Sequence, residues 1–280
     1  MGRKGSLEWL VSFLVRISNL VCCSNLVIGD GIASNRLECI DKEITSTKNA
    51  NFLFKKSLFR VEPARKYYYQ KLYNNFQAQR GILKDTQMLA DLDKKLEVIK
   101  EKYEEEKEEN DSDFKAFLGQ NILYGQTIHL KHLYSDCYLT YQNNSLALQY
   151  GCIRLTLEEE GSESANFKFL ASGNLKSKED VVAYSDPIHV VSARGNYYMH
   201  VWDENNDLLG NNSKTGLEVN GSESSSDWKL IRFLDYAEYQ EYETNNAFLE
   251  SGDIIRLKHK RTNTALFAAS RDLKPVISTR

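Results

Sequence analysis

The strongest constraint on the fold is a spaced pattern of residues that occurs twice in full and once in a degenerate form. Counting from Gly125, aliphatic residues stand at offsets 3 and 5, a histidine at 7 and a leucine at 14, and the pattern starts again at Gly252. The two full copies are Ile128, Leu130, His132 and Leu139, and Ile255, Leu257, His259 and Leu266. A copy from Ser185 keeps the apolar positions and has Ser192 at the histidine position. Such repeats of short alternating strands indicate an all-β fold whose units close on one another.

A second repeated marker divides the same region into units. Gly161-Ser-Glu-Ser precedes Phe167, and Gly221-Ser-Glu-Ser precedes Trp228. Units of roughly 60 residues with one buried face predict equivalent strands at the three copies of the pattern. The residues predicted to point inward are Ile128, Leu130, Ile188, Val190, Ile255 and Leu257. Phe167 and Trp228 are predicted to be buried aromatic anchors of their units.

After Pro63 the apolar period changes from two residues to about 3.6. One stripe consists of Tyr69, Leu72, Tyr73 and Phe76, and a second consists of Leu89, Leu92, Leu96, Ile99 and Tyr103. Two amphipathic helices, joined near Gly81, are therefore predicted to form a hairpin. The acidic run at 104–113 carries too much charge to bury and is predicted to be a solvated, flexible return to the β repeats.

The other segments give weaker patterns. Residues 51–61 have strand composition, and a short strand is predicted near 37–40. The acidic, aromatic stretch 235–250 is predicted to contain a short linking helix. Residues 7–28 are apolar, but charged and polar residues interrupt them, so a packed helix or strand is favoured over a signal sequence or membrane anchor.

Composition excludes some general classes of function. Lysine and arginine number 36 against 39 aspartate and glutamate residues. This near-neutral balance gives no general electrostatic case for nucleic acid or a membrane surface. Five cysteines without a CxxC pair are typical of reduced thiols, and they indicate neither a disulfide framework nor a zinc site. No glycine-rich phosphate loop, nucleophile elbow or catalytic carboxylate pair is present, so no enzyme activity and no cofactor are predicted.

Three groups of side chains could carry chemistry. His132 and His259 lie on the repeated strand, so the repeat accounts for them structurally and a metal site is not predicted. The basic run from Lys258 to Arg261 could hold a phosphorylated ligand through charge-assisted hydrogen bonds, although an exposed turn between two strands is the favoured interpretation. The three tyrosines at 67–69 could stack their rings on a ligand. Packing in the core is the favoured interpretation for them.

Together these residues resemble the N-terminal cytosolic region of inositol trisphosphate receptors, which are intracellular calcium-release channels related to ryanodine receptors. The resemblance covers roughly 28–273. The residues that carry it are Phe54 to Val61, Pro63, Tyr67, Gln70, Lys71 and Tyr73, then Tyr124 to His132 with Tyr138-Leu-Thr, Ile153 to Leu157 with Gly161-Ser-Glu, Ser226 to Leu230, and Ser251 to His259. The repeats look like the MIR modules of that family.

The resemblance implies a mainly β protein made of β-trefoils. Residues 1–27 would be an atypical apolar segment, and 28–235 a suppressor-like β-trefoil built of MIR-like repeats with an inserted helical arm at 64–110. Residues 236–280 would contain a linking helix and the truncated start of a second trefoil. The family's aromatic loop, which contacts neighbouring parts of the channel, corresponds here to the shorter Ala171-Ser-Gly-Asn-Leu.

The functional expectation is a non-enzymatic regulatory module that docks on other channel domains at the cytosolic face of the endoplasmic reticulum or another calcium store, and this chain is predicted to have no membrane span. By resemblance, Arg280 matches the first arginine of the family's Arg-Thr-Thr-Gly-Arg ligand loop. One arginine cannot hold three phosphates, so the isolated chain is predicted not to bind inositol trisphosphate with useful affinity. The alternatives are a MIR protein of the endoplasmic-reticulum lumen, resembling O-mannosyltransferase MIR modules, and a ryanodine-receptor-like fragment.

Overall fold

A computed structural model of the chain describes residues 37–40, 54–82, 86–173, 176–195, 197–202, 217–233 and 247–268. Within them the fold is mainly β, with two α-helices inserted between the second and third strands. The strands are β1 Leu37–Ile40, β2 Phe59–Pro63, β3 Thr127–His132, β4 Cys137–Leu146, β5 Ile153–Glu158, β6 Phe167–Ala171, β7 Ile188–Ser192, β8 Tyr198–Trp202, β9 Leu217–Ser222, β10 Trp228–Phe233, β11 Ile254–His259 and β12 Ala265–Ala268. The helices are α1 Tyr68–Arg80 and α2 Thr86–Phe117.

Six of the described strands close into a ring. Going round it, β2 pairs with β3, β3 with β6, β6 with β7, β7 with β10, β10 with β11, and β11 again with β2. All of these pairings are antiparallel, and the closed ring leaves no free sheet edge among these six strands. The barrel is thus formed by strands from both ends of the described chain.

The remaining strands pair in twos outside the ring. The hairpins β4–β5 and β8–β9 are each formed by neighbouring strands, whereas β12 pairs with β1 from the other end of the described chain. Contacts of β5 and β1 with β9 join the three pairs. The described part of the predicted second domain, β11 and β12, therefore belongs to the same sheet as the rest. The predicted boundary near 235 and the linking helix lie outside the described residues.

The prediction of equivalent inward-facing strands is confirmed. The strands β3, β7 and β11 begin two or three residues after Gly125, Ser185 and Gly252, and all six predicted inward side chains are fully buried. Gly125 and Gly252 have φ values of 76° and 95°, which glycine adopts without strain. Burial of apolar side chains such as these is the dominant favourable contribution to folding.

The aromatic anchors lie opposite the histidine position of each repeat. Trp228 pairs with His259, Phe59 with His132, and Phe167 with Ser192. The predicted burial of Phe167 and Trp228 is confirmed, since both side chains are fully buried. Trp228 also donates its indole N–H to the Met199 carbonyl at 3.0 Å, so its one polar atom is satisfied.

The helical hairpin is present, and the prediction for its acidic end is wrong. The helix α2 continues through the acidic run to Phe117, and Glu106 and Asn110 within it are buried. The high average charge of the run hides an amphipathic pattern. Tyr103, Glu106 and Asn110 continue the buried stripe at helical spacing, so one face of the run stays in contact with the rest of the protein.

Two smaller predictions from the N-terminal part have mixed outcomes. The short strand near 37–40 is confirmed as β1. The strand predicted over 51–61 begins only at Phe59, because Phe54 and Lys55 are helical and a turn follows at Lys56 and Ser57, where the Ser57 hydroxyl donates to the Phe54 carbonyl at 2.7 Å. The predicted apolar segment 7–28 lies outside the described residues. No helix in the described part of the chain is long and apolar enough to cross a membrane.

Candidate functional site

The repeated histidines have a structural role in the turn that follows each strand. His132 Nδ1 lies 2.8 Å from the Ser135 hydroxyl, and His259 Nδ1 lies 2.7 Å from the Thr262 hydroxyl, in both cases three residues further on. Burial lowers the pKa of both imidazoles to about 4, so both rings are neutral at pH 7. No group of three or more histidine, cysteine or carboxylate side chains that could hold a metal occurs among the described residues.

The two histidines differ at the other ring nitrogen. His132 Nε2 lies 3.1 Å from the Lys56 carbonyl, which completes its hydrogen bonding. His259 Nε2 has no hydrogen-bond partner in the described part of the chain, and its ring lines an open pocket of about 560 Å³. The other residues that line this pocket are His200, Ser225, Ser226, Asp227, Lys260 and Arg261. The sequence pattern predicted the equivalence of the two histidines and not this difference.

The basic run 258–261 contributes to this pocket with only part of its length. Lys260 and Arg261 are exposed at the turn between β11 and β12, as the favoured interpretation predicted, and both line the pocket. Lys258 lies on β11 opposite Lys229 of β10 and does not line the pocket. The turn thus presents two cations to one concave surface.

One carboxylate, Asp227, is held at the edge of the same pocket. Its Oδ1 accepts a short hydrogen bond from the Ser172 hydroxyl and lies 2.9 Å from His189 Nε2. Its Oδ2 lies 3.9 Å from Lys260 Nζ. These contacts, led by the hydrogen bond from Ser172, hold the pKa of Asp227 below its usual value. Asp227 lies within the segment Ser226 to Leu230 that carries the resemblance, but nothing in the sequence marked it as a site residue, because its partners come from three separate segments.

An apolar loop that starts at the last residue of β4, Leu146, and leads to β5 is a second candidate surface. Its side chains alternate, with Leu146, Leu148 and Tyr150 pointing outward and exposed to 76%, 47% and 100%. The backbone is nevertheless fixed, because the buried carboxylate of Glu218 accepts hydrogen bonds from the amides of Leu148 and Gln149 at 2.8–3.1 Å. A further bond runs from Asn220 Nδ2 to Gln149 Oε1 at 3.0 Å. A rigid apolar loop of this kind loses little entropy when a partner covers it.

The N-terminus of α1 is held by side chains of α2. Tyr67 at the N-cap position makes no side-chain cap. Instead, the carboxylate of Glu106 accepts from the backbone amides of Tyr69 and Gln70 at 3.0–3.2 Å. Asn110 accepts from the Lys66 amide at 2.8 Å and donates to the Lys66 carbonyl at 3.0 Å. A negative group at a helix N-terminus also interacts favourably with the helix dipole.

The arm is attached to the barrel through Tyr67 and Glu160. The Tyr67 ring stacks on His129 at 5.5 Å between centroids, and the Tyr67 hydroxyl lies 3.3 Å from His129 Nδ1. Glu160, in the turn after β5, accepts from the Tyr103 hydroxyl at 2.7 Å and pairs with Lys107 at 3.0 Å. Of the three neighbouring tyrosines at 67–69, Tyr67 is buried as predicted, whereas Tyr68 is 64% exposed.

His129 is buried away from water at this junction, and its pKa is lowered as a result. Desolvation lowers the pKa of His129 to about 4, against the opposing effect of the hydrogen bond between its Nε2 and Asn166 Oδ1 at 2.6 Å. Burial likewise raises the pKa of the Tyr67 phenol. A neutral histidine and a neutral phenol therefore form a structural contact at pH 7. The predicted ligand contact Arg280 lies outside the described residues and stays a prediction.

In the described part of the chain, these features define the class of protein: a β-barrel module with a docked helical hairpin, a rigid exposed apolar loop and a basic pocket. A family model described as "Inositol 1,4,5-trisphosphate/ryanodine receptor" matches residues 13–239. Among characterised proteins, the inositol 1,4,5-trisphosphate receptor itr-1 of Caenorhabditis elegans is 30% identical over 220 residues. The chain therefore belongs to the inositol 1,4,5-trisphosphate/ryanodine receptor family, as the resemblance predicted.

The match covers the two proteins very unequally. The aligned residues are 76% of this chain and 7% of the Caenorhabditis elegans receptor. The family is one of receptors that are calcium channels.

Proposed function

We propose that this chain is a non-enzymatic regulatory module of inositol trisphosphate-gated calcium release that acts by docking on other domains of a receptor of its family. Its site of action would be the cytosolic face of the endoplasmic reticulum or another calcium store. Family membership supports the proposal, together with the length of the relative, most of which lies outside the aligned region. The observation that carries it is the exposed apolar loop at 146–150 with its fixed backbone.

For the fold we propose a β-trefoil of three MIR-like units. The supporting observations are the ring of six strands, the three outer strand pairs and the recurring pairing of an aromatic residue with the histidine position. On this proposal β11 and β12 form the third unit together with β1 and β2. The barrel would then be completed by the very strands that the sequence assigned to a second domain.

The occupant of the loop is proposed to be a folded domain of the receptor. Tyrosine and leucine side chains on a rigid backbone suit a protein surface, because aromatic anchors in desolvated pockets dominate most protein interfaces. Docking of this kind changes ligand affinity elsewhere through a coupling free energy between two arrangements of the domains. Such coupling typically changes affinity by a factor of about 5 to 150.

The test supplies this chain in trans to a receptor of the family whose own N-terminal region has been deleted. Inositol trisphosphate affinity of the deleted receptor is measured with and without the chain, and it is expected to fall at least about fivefold when the chain is bound. The variant Leu146→Ser/Tyr150→Ser should lose most of this effect.

Tyr68→Ser is the matched control, since Tyr68 is also an exposed tyrosine but lies on α1. It should behave like the parent chain. If the control loses the effect and the loop variant keeps it, docking uses the arm and the assignment of the loop is wrong. An affinity that stays unchanged at saturating concentrations of the chain contradicts the regulatory role itself.

A further inference from the structure

The pocket beside the β11–β12 turn has more positive than negative charge. Lys260 and Arg261 face one carboxylate, Asp227, whose Oδ1 is already occupied by Ser172 and His189. Arg261 has no ion-pair partner among the described residues. An unpaired guanidinium at the mouth of a pocket is a ready donor for an anion.

The positive charge of Arg261 acts on the two histidines that line the pocket, His200 and His259. Burial is the largest cause that lowers the pKa of His200 and of His259, and the charge of Arg261 is the next cause in both. His200 Nδ1 is bonded to the Ser226 hydroxyl at 3.0 Å, while His259 Nε2 has no described partner. The charges that act on the His259 ring are Arg261 and Asp227, with His200 as a further titratable neighbour. An anion in the pocket would offset the effect of Arg261 on both rings.

Comparison with the equivalent turn isolates what is specific to this pocket. At the β3–β4 turn, His132 has both nitrogens bonded, and the residues after it are Leu133 and Tyr134. At the β11–β12 turn, the corresponding residues are Lys260 and Arg261, and the second histidine nitrogen is open. The fold of the turn therefore does not require the cations or the open nitrogen.

We infer that this pocket binds a single phosphate monoester group. Lys260 and Arg261 would supply the cationic donors. His259 Nε2 would donate a further hydrogen bond from its N–H, either as the neutral ring or as the protonated ring. Asp227 would hold Lys260 in place through the 3.9 Å contact. This site is independent of the docking surface at 146–150, and it has too few donors for a ligand that needs several phosphates bound at once.

In the first measurement, glycerol phosphate is titrated into the purified full chain at low salt. The imidazole resonances of the five histidines are recorded by NMR at each step. Saturable shifts of His200 and His259 are expected, with a dissociation constant on the order of 1 mM for two cationic donors. The pKa of both rings should rise when sulfate, which stays a dianion, occupies the pocket at constant ionic strength. His129 and His132, which lie outside the pocket, should keep their titration curves.

Variants separate a site from general attraction of anions. Arg261→Gln and Lys260→Gln alter exposed side chains, so the fold is expected to persist, and each should weaken binding at least about fivefold. Lys258→Gln removes the same charge from the adjoining strand β11, outside the pocket, and should leave binding unchanged. Equal weakening by Lys258→Gln would overturn the inference.

A lipid headgroup could present the same phosphate chemistry. Vesicles of phosphatidylcholine with phosphatidic acid, which carries a phosphate monoester, form the second arm of the experiment. Binding of glycerol phosphate that depends on Arg261 supports a soluble ligand. Vesicle binding that depends on Arg261, without saturable binding of glycerol phosphate, supports a lipid source, and absence of both rejects the site.

Discussion

The barrel interior and the base of the helical arm are held together by different interactions. The barrel is filled by fully buried apolar side chains such as Trp228, Phe59 and Phe167. The arm is positioned by buried polar groups, chiefly Glu106 and Asn110, each of which bonds specific backbone atoms. Apolar burial is non-directional and distributed over many residues, whereas each polar contact is directional and depends on one pair of groups. We therefore expect that the arm can detach while the barrel stays folded. Unfolding of the barrel, in contrast, should also release the arm.

The largest expected effect is at the centre of the barrel. Trp228→Ala removes a fully buried indole and leaves the Met199 carbonyl without its donor, so it should lower the free energy of unfolding by about 3 to 5 kcal/mol. Urea unfolding followed by circular dichroism measures this. Trp202, which is only half-buried on β8, is the control. Trp202→Ala should lower the free energy of unfolding clearly less than Trp228→Ala does. Equal midpoints for Trp228→Ala and the parent would contradict the anchor role.

The next effect depends on pH and involves one histidine from each region. His132 in the barrel turn and His129 at the arm junction both have a pKa near 4 in the fold, against 6.5 as the ordinary value. Below pH 6.5 the unfolded chain binds protons that the folded chain does not. The contribution of each neutral ring to the free energy of unfolding should therefore be fully present above about pH 6.5. It should be lost as the pH drops to about 4, which lowers the free energy of unfolding by roughly 3 kcal/mol for each ring.

Single variants assign this pH dependence to each ring. His132→Gln and His129→Gln should each flatten the curve of unfolding free energy between pH 7 and pH 5 by about one proton. Urea unfolding at several pH values gives the slopes. If both variants keep the slope of the parent chain, the two rings are not kept neutral by burial.

A smaller and local effect is expected at the arm. Glu106→Ala removes the acceptor for the amides of Tyr69 and Gln70, which should lower the stability of α1 by about 1 to 2 kcal/mol. Hydrogen exchange should accelerate in α1, while the amides of β3 and β11 keep their protection. Glu105→Ala, which alters the exposed neighbour on α2, should change neither. Equal loss of protection in the barrel would show that the arm and barrel unfold as one unit.

The same contrast explains how much of the fold the sequence could predict. The positions of Ile128, Ile188 and Ile255 follow from period-two alternation, which is a local pattern, and all three proved buried. The role of Glu106 could have been found from its spacing of three residues from Tyr103, had the stripe been extended through the charged run. The joining of β11 to β2 could not be found in this way, because no local pattern determines which distant strands pair.

The candidate surfaces were harder to predict for a related reason. Glu218 lies in a strand between Leu217 and Val219, where nothing in the sequence marks a carboxylate that fixes another hairpin. Asp227 likewise bonds Ser172 and His189 from other segments. Buried polar contacts between distant segments depend on atomic geometry, which residue spacing along one segment does not encode.

The smallest expected effect sharpens the comparison by setting an exposed residue against a buried one on a single hairpin. Tyr141 and Tyr150 lie on the same β4–β5 hairpin, the first buried in the core and the second fully exposed. Tyr150→Ser should leave the thermal midpoint of the isolated chain unchanged, because the Tyr150 side chain has no buried area to lose. Tyr141→Ser should lower the midpoint strongly, since its ring packs on Phe167 at 4.9 Å. A large loss in Tyr150→Ser would mean that the loop packs on the chain itself, and an apolar surface open to a partner would then no longer exist at this hairpin.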